Sequence, residues 1–249
     1  MKKNLKGIFA IWYREFKVFT REKSRVVSSI FMPLIWYFIF GSGMKDTVKV
    51  GIDYRYFIFP GFLVMVVIFS SIFNGVYIVW DRKIDFLKEV LIAPLSRTTV
   101  FFGKVLGCLT DAILQASILL IIGIVLKIPF TIKSIFLSII TLVLLGISLA
   151  SLGLIIGSFM ESLEGFGLVS SFIVYPMFLL SGALYPLENL PPLLRVLTRV
   201  DPASYAVDII RYSLTNISTL PIELNLLFLL LSDIGFVLIG TWAFNRMNL

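Results

Sequence analysis

Apolar residues in this chain fall into long unbroken blocks, where an amphipathic soluble fold would show stripes or alternation. The blocks run over residues 26–43, 57–79, 102–126, 135–156, 165–184 and 224–244. Each approaches the roughly 20 residues that a helix needs to cross a bilayer. The first is interrupted by Pro33, and the second closes on Tyr77 and Trp80, aromatic residues suited to a membrane interface. The pattern predicts an all-α membrane protein with six transmembrane helices.

The intervening segments are patterned differently. Over residues 1–25, Leu5, Ile8, Phe9, Trp12, Phe16 and Phe19 share one side of a helix, while Lys3, Lys6, Arg14, Lys17 and Arg21 share the other. This predicts an amphipathic helix lying in the headgroup plane. Between the second and third blocks, Ile84, Leu87, Val90 and Leu91 recur at helical spacing among charged residues, and Pro94 ends the run. A short helix parallel to the membrane is predicted there. Residues 157–164 form a tight loop. Residues 185–223 are rich in proline yet hold Leu187, Leu190, Leu193, Leu194 and Leu197, too apolar for a free loop. A re-entrant or interfacial helical segment is predicted, because irregular backbone at membrane depth must be buried in protein or line a cavity.

Composition agrees with this picture. Of 249 residues, 58% are hydrophobic, above the 45–50% or so typical of soluble domains, and the mean hydropathy is +0.97. There is no His, and Cys108 is the single cysteine, which excludes an intrachain disulfide and a His- or Cys-rich metal site. The net charge of +7 is read as headgroup contact rather than nucleic-acid binding. Fourteen of the 22 Lys and Arg residues lie in the N-terminal segment, residues 80–104 and the tail, the connections on the same side of the membrane as the N-terminus, which predicts both termini in the cytoplasm of a multi-pass cell-membrane protein. No cleavage pattern follows the first block, so it is expected to remain in the mature chain.

Two stretches carry a family resemblance. The run Trp80–Gly107, WDRKIDFLKEVLIAPLSRTTVFFGKVLG, resembles the segment between the second and third spans of ABC-2 type transporter permeases, and is similar above all to the daunorubicin-resistance and multidrug branch. Leu180–Leu194, LSGALYPLENLPPLL, followed by Asp201–Arg211, DPASYAVDIIR, resembles a second pair of motifs of that family in the same order. The chain departs at Asp85, where the family often has Gly; either the helix runs through Asp85 or Asp85 caps it.

The resemblance implies a single ABC-2 transmembrane domain over 1–249. It implies docking on a separate ATPase subunit through a coupling helix, with Asp81, Arg82, Asp85, Phe86, Leu87, Lys88, Glu89, Leu91 and Pro94 as its contacts and Glu161 and Glu164 as a second contact. It also implies pairing with a second permease copy or a paralogue. Tyr185, Pro186, Leu190, Pro191 and Pro192 would cap the outer end of the path. The chain contains no G-x-x-x-x-G-K-[ST]; Gly103-Lys104 is a bare pair. ATP and Mg are therefore expected on the partner subunit, with no cofactor and no enzymatic activity in this chain.

Polar residues inside the blocks remain. Asp111 and Gln115 share a face of the third span with Lys104, Asp233 sits mid-way along the sixth beside Ser232, and Asn74 lies in the second. A charge exposed to lipid costs about 2.5–3.5 kcal/mol, so these residues face protein. They fit helix packing, or ion sites in a secondary transporter; a non-transporting membrane scaffold is the third reading. The absence of an internal repeat counts against ion coupling. Gly153 and Gly157 make a G-x-x-x-G face for close helix approach.

Overall fold

The computed structural model describes residues 2–44, 47–48, 50–87 and 95–247, without the side chains of residues 2, 3, 25 and 189. The described residues contain α-helices and no strand. They are α1 (Lys2–Arg21), α2 (Lys23–Gly43), α3 (Tyr54–Phe73), α4 (Val76–Lys83), α5 (Arg97–Val125), α6 (Ile132–Phe159), α7 (Leu163–Leu180), α8 (Pro192–Thr198), α9 (Pro202–Thr215) and α10 (Ile222–Arg246). Six segments are long and apolar enough to cross a membrane: within α2, across α3 and α4 together, and in α5, α6, α7 and α10.

Several helices begin ahead of their apolar blocks, and their caps explain why. The Ser96 hydroxyl accepts from Thr99 N at 3.2 Å, Thr131 and Ser134 form a capping box, and Ser162 accepts from Gly165 N at 2.9 Å. A polar side chain that satisfies the first free amides starts the helix a turn before hydrophobicity rises. α7, the fifth span, instead stops at Leu180, short of the end of its apolar block, because Gly182 takes a left-handed φ of 75°.

α3 is the central element. It packs against α2, α5, α6, α7 and α9, and α6 packs in turn against α5, α9 and α10. The core between them is aromatic-rich, with Phe59, Phe62, Ile68, Leu145 and Phe166 fully buried. Lipid chains are as apolar as these residues, so the helices are held by close packing and buried hydrogen bonds rather than by the hydrophobic effect. The second span breaks at Asn74–Gly75, between α3 and α4. There the G-x-x-x-G face of α6 is engaged: a Cβ on Gly75 would collide with the Gly153 carbonyl, and one on Gly153 would lie 2.5 Å from the Ile72 carbonyl. The two backbones touch.

α1 lies along α5 with Gly7, Ile11, Glu15 and Phe19 buried, spaced four residues apart. Leu5 and Phe9, from the predicted apolar side, point away from α5 together with Tyr13. At the other end of the bundle, a 3-10 turn (Leu187–Asn189) and α8 lead into α9. α9 starts with Asp201 accepting from Ala203 N at 2.8 Å and Pro202 at its first position, and it is buried through Arg211.

Candidate functional site

The densest chemistry lies where α1, α4 and α5 meet. The Arg14 guanidinium donates to both Asp81 oxygens, at 2.6 and 3.1 Å, and to Glu15 Oε1 at 2.8 Å. It also stacks 4.3 Å above the centre of the Phe86 ring. Lys104 Nζ donates to Asp81 Oδ2 at 2.6 Å and to Glu15 Oε1 at 3.0 Å. Two cations and two anions thus close a neutral cluster in which Asp81 is 0% and Lys104 3% exposed. Buried charges survive only when paired and hydrogen-bonded in this way. Gly103 and Gly107 flank Lys104 on α5, and a Cβ at either would strike Ile11 or Glu15 of α1. The glycines let α1 come close enough for Glu15 to reach Lys104. Burial lowers the Arg14 pKa, but the Asp81 hydrogen bond and the Glu15 and Asp81 charges outweigh it and raise the value.

Arg82, the neighbour of Asp81, points the other way. Its guanidinium donates to the carbonyls of Met160 and Ser158 at 3.1 Å each and of Gly157 at 3.4 Å. These are the free carbonyls at the end of α6. The consecutive pair Asp81-Arg82 therefore ties α4 to α1, α5 and α6. The connection after α6 is shorter than the expected 157–164 loop, because α6 runs to Phe159 and α7 starts at Leu163: Glu161 lies in the connection and Glu164 in the first turn of α7, both exposed.

Asp85 has φ 56°. A continuous helix through this position is ruled out: α4 ends at Lys83 and the chain turns through a left-handed residue. Glycine fits such a position best, and Asp is among the few other residues that tolerate it. Phe86 stacks under Arg14 and Leu87 is fully buried. Lys88, Glu89, Leu91 and Pro94 lie outside the described residues.

The polar residues within the spans join helices. Asn74 Nδ2 donates to Asp111 Oδ2 at 3.2 Å, linking the end of α3 to α5. Gln115, one turn along α5, is fully buried and its amide has no hydrogen-bond partner among the described residues. Lys104 shares their helix face but is engaged by Glu15 and Asp81. Ser148 on α6 donates to Asp233 on α10 and lies 3.1 Å from the Ser232 hydroxyl.

A cavity of about 740 Å³ opens between α2, α3 and α7, with Met32, Trp36, Phe69, Tyr77 and Phe178 among its lining residues. Among the described residues no charged side chain lines it. Beyond it, Tyr185 donates to Leu179 O at 2.8 Å, Pro186 precedes the 3-10 turn, and Pro191 and Pro192 start α8. The Leu190 carbonyl accepts from Arg195 at 3.2 Å. Burial pushes the Asp201 carboxyl up to about 8, against the lowering by the Ala203 and Ser204 hydrogen bonds.

Sequence reasoning missed Arg14, Glu15 and Lys104 as partners of Asp81. One signal was available: Glu15 is the lone acid among the first 21 residues, on a strongly basic helix.

The sequence profile described as ABC-2 type transporter matches residues 6–215. The chain is 32% identical over 182 residues to the probable multidrug ABC transporter permease YbhR of Escherichia coli K12, covering 72% of this chain and 49% of that protein, so the chain spans about half the length of this relative. It is 26% identical over 234 residues to the inner membrane transport permease YadH of the same organism, covering 92% and 91%. The putative transport permease ycf38 of Cyanophora paradoxa is 26% identical over 216 residues, covering 84% and 74%. With six helices fit to cross a membrane and a profile match over most of its length, this multi-pass membrane chain belongs to the ABC-2 type transporter family.

Proposed function

We propose that this chain is the membrane subunit of an ATP-driven exporter. It works as a pair with a second copy or a paralogue, and separate nucleotide-binding subunits power it. Both termini and the segment after Asp81 face the cytoplasm. The observation that carries this reading is the Asp81-Arg82 junction. A push delivered to residues 84–95 by an ATPase subunit meets a backbone fastened through Asp81 to α1 and α5 and through Arg82 to the end of α6. The push then moves three elements together instead of bending one loop. Glu161, in the connection that follows the carbonyls gripped by Arg82, and Glu164, in the first turn of α7, offer a second contact.

The uncharged cavity beside α2, α3 and α7 suits the apolar body of a drug or lipid. The word multidrug in the name of YbhR favours a drug-like cargo. Leu190 and its neighbouring prolines act as the outer cap. The ion-coupled alternative loses ground, because Asp111 and Asp233 are engaged by Asn74 and Ser148 in joining helices.

Purification of the chain from its native membrane under mild conditions tests the proposal. A P-loop ATPase is expected to copurify, and Cys introduced at Lys88 or Glu89 is expected to crosslink to it. Recovery of the permease with no such partner, or transport that persists without ATP, overturns the reading.

A further inference from the structure

A second pocket, of about 250 Å³, lies between α8, α9 and the start of α10. Arg195, Arg199 and Arg211 all line it. None of the three is ion-paired among the described residues. Arg211 is 6% exposed; it donates to Phe57 O at 3.2 Å and Gly182 O at 2.6 Å and stacks 3.8 Å from the Phe57 ring centre. Those carbonyls hold the side chain in place but leave its charge uncompensated. Desolvation lowers its pKa to about 10, with the Asp208 charge opposing, so it stays cationic at neutral pH.

Two carboxylates also line the pocket. Asp208 is already spent: it accepts from Thr219 N, Thr219 Oγ1, Leu220 N and Asn225 Nδ2 within 3.1 Å. Glu188 is exposed and free to turn into water. The donors to Asp208 are neutral, so Asp208 keeps its charge, and three guanidinium groups against two carboxylates leave the pocket cationic by one charge.

The outer surface of α8 is different. Leu193, Val196 and Leu197, with Val200 just beyond, are 49–79% exposed. Arg195 and Arg199, four residues apart, lie one turn from each other. A cationic pocket and an apolar helix surface thus adjoin over a single short segment.

We propose that this segment binds one phospholipid, with the headgroup phosphate in the Arg195–Arg199–Arg211 pocket and the acyl chains along the exposed apolar side of α8. Guanidinium groups match phosphate oxygens two-pronged, and an anion there supplies the charge that Arg211 lacks. The inference does not depend on ATP coupling: it concerns the purified chain alone.

The test is native mass spectrometry of the full chain in dodecylmaltoside. It is titrated with phosphatidylglycerol, with diacylglycerol of the same chains, and with potassium phosphate. Phosphatidylglycerol is expected to give a discrete one-lipid adduct at concentrations where diacylglycerol does not. The double variant Arg195→Gln/Arg199→Gln is expected to weaken that adduct tenfold or more, at about 1 kcal/mol per basic residue; because Arg195 also donates to the Glu188 and Leu190 carbonyls, the single variant Arg199→Gln is the one expected to weaken the adduct with the melting temperature unchanged. Equal retention of the two lipids, an adduct indifferent to the double variant, or displacement of the lipid by millimolar phosphate each overturns the proposal.

Discussion

Two regions of this molecule bury charge, and they use it in opposite ways. Where α1, α4 and α5 meet, charges bind charges: Arg14, Glu15, Asp81 and Lys104 satisfy one another across three elements separated by up to 89 positions in the chain. On α9, Asp208 and Arg211 sit one turn apart, yet each binds backbone elsewhere. Asp208 takes the Thr219 and Leu220 amides, and Arg211 takes the Phe57 and Gly182 carbonyls. The first arrangement joins regular helices into one unit and gives no help to irregular backbone. The second supplies the partners that non-helical chain at residues 181–190 and 216–221 cannot find within itself. A moving part needs the former and a fixed cap needs the latter.

Removing one charge separates the two designs most sharply. Asp81→Ala leaves Arg14 and Lys104 buried against Glu15 alone, and is expected to cost about 3–5 kcal/mol as an uncompensated buried charge. The drop should appear in global unfolding followed by tryptophan fluorescence, since Trp12 and Trp80 flank the cluster in sequence. Asp81→Leu combined with Lys104→Met keeps the Arg14–Glu15 pair and removes both buried partners; most of the loss should be recovered. A double variant as unstable as the sum of its singles contradicts the closed cluster. On the proposed function the recovered protein offers a direct reading of coupling: it should fold and bind the proposed ATPase subunit while transport fails.

Asp208→Asn is expected to act locally and less strongly. The amide must turn one NH2 toward a site where Asp208 accepts only from donors, which costs about 1–3 kcal/mol. The effect should concentrate in residues 216–221, as faster amide exchange and proteolysis there, with little change at α1 or α5. A uniform loss of protection across the bundle would erase the contrast between the two regions.

How much of this could be read in advance follows from the range of each interaction. The six apolar blocks are local properties and were legible, as was the close approach at Gly153 and Gly157. Helix starts at Ser96, Thr131 and Ser162 were obscured because hydropathy rises only after the cap. The cluster was illegible for a different reason. Periodicity places Lys104 on the same α5 face as Asp111 and Gln115, but it cannot say that the facing element at Lys104 is α1. That depends on Gly103 and Gly107 admitting the N-terminal helix, and on Glu15 lying on its buried side rather than among its basic residues.

The smallest effect is expected at Asp85, and it tests whether the turn after α4 belongs to the charge-linked region by shape or by charge. Its φ of 56° is open to Gly at no steric cost, tolerated by Asp, and unfavourable by about 1 kcal/mol for a residue with an ordinary Cβ. Asp85→Gly should leave the unfolding free energy within about 0.5 kcal/mol of the parent, whereas Asp85→Ala should lower it by about 1 kcal/mol. If backbone shape is what positions Phe86 beneath Arg14, the Gly variant preserves crosslinking from Lys88 to the ATPase and the Ala variant weakens it. Equal behaviour of the two variants, both impaired, would assign the position to the carboxylate instead. The turn would then join the charge-paired design, and the boundary between the two regions would move to the far side of Asp85.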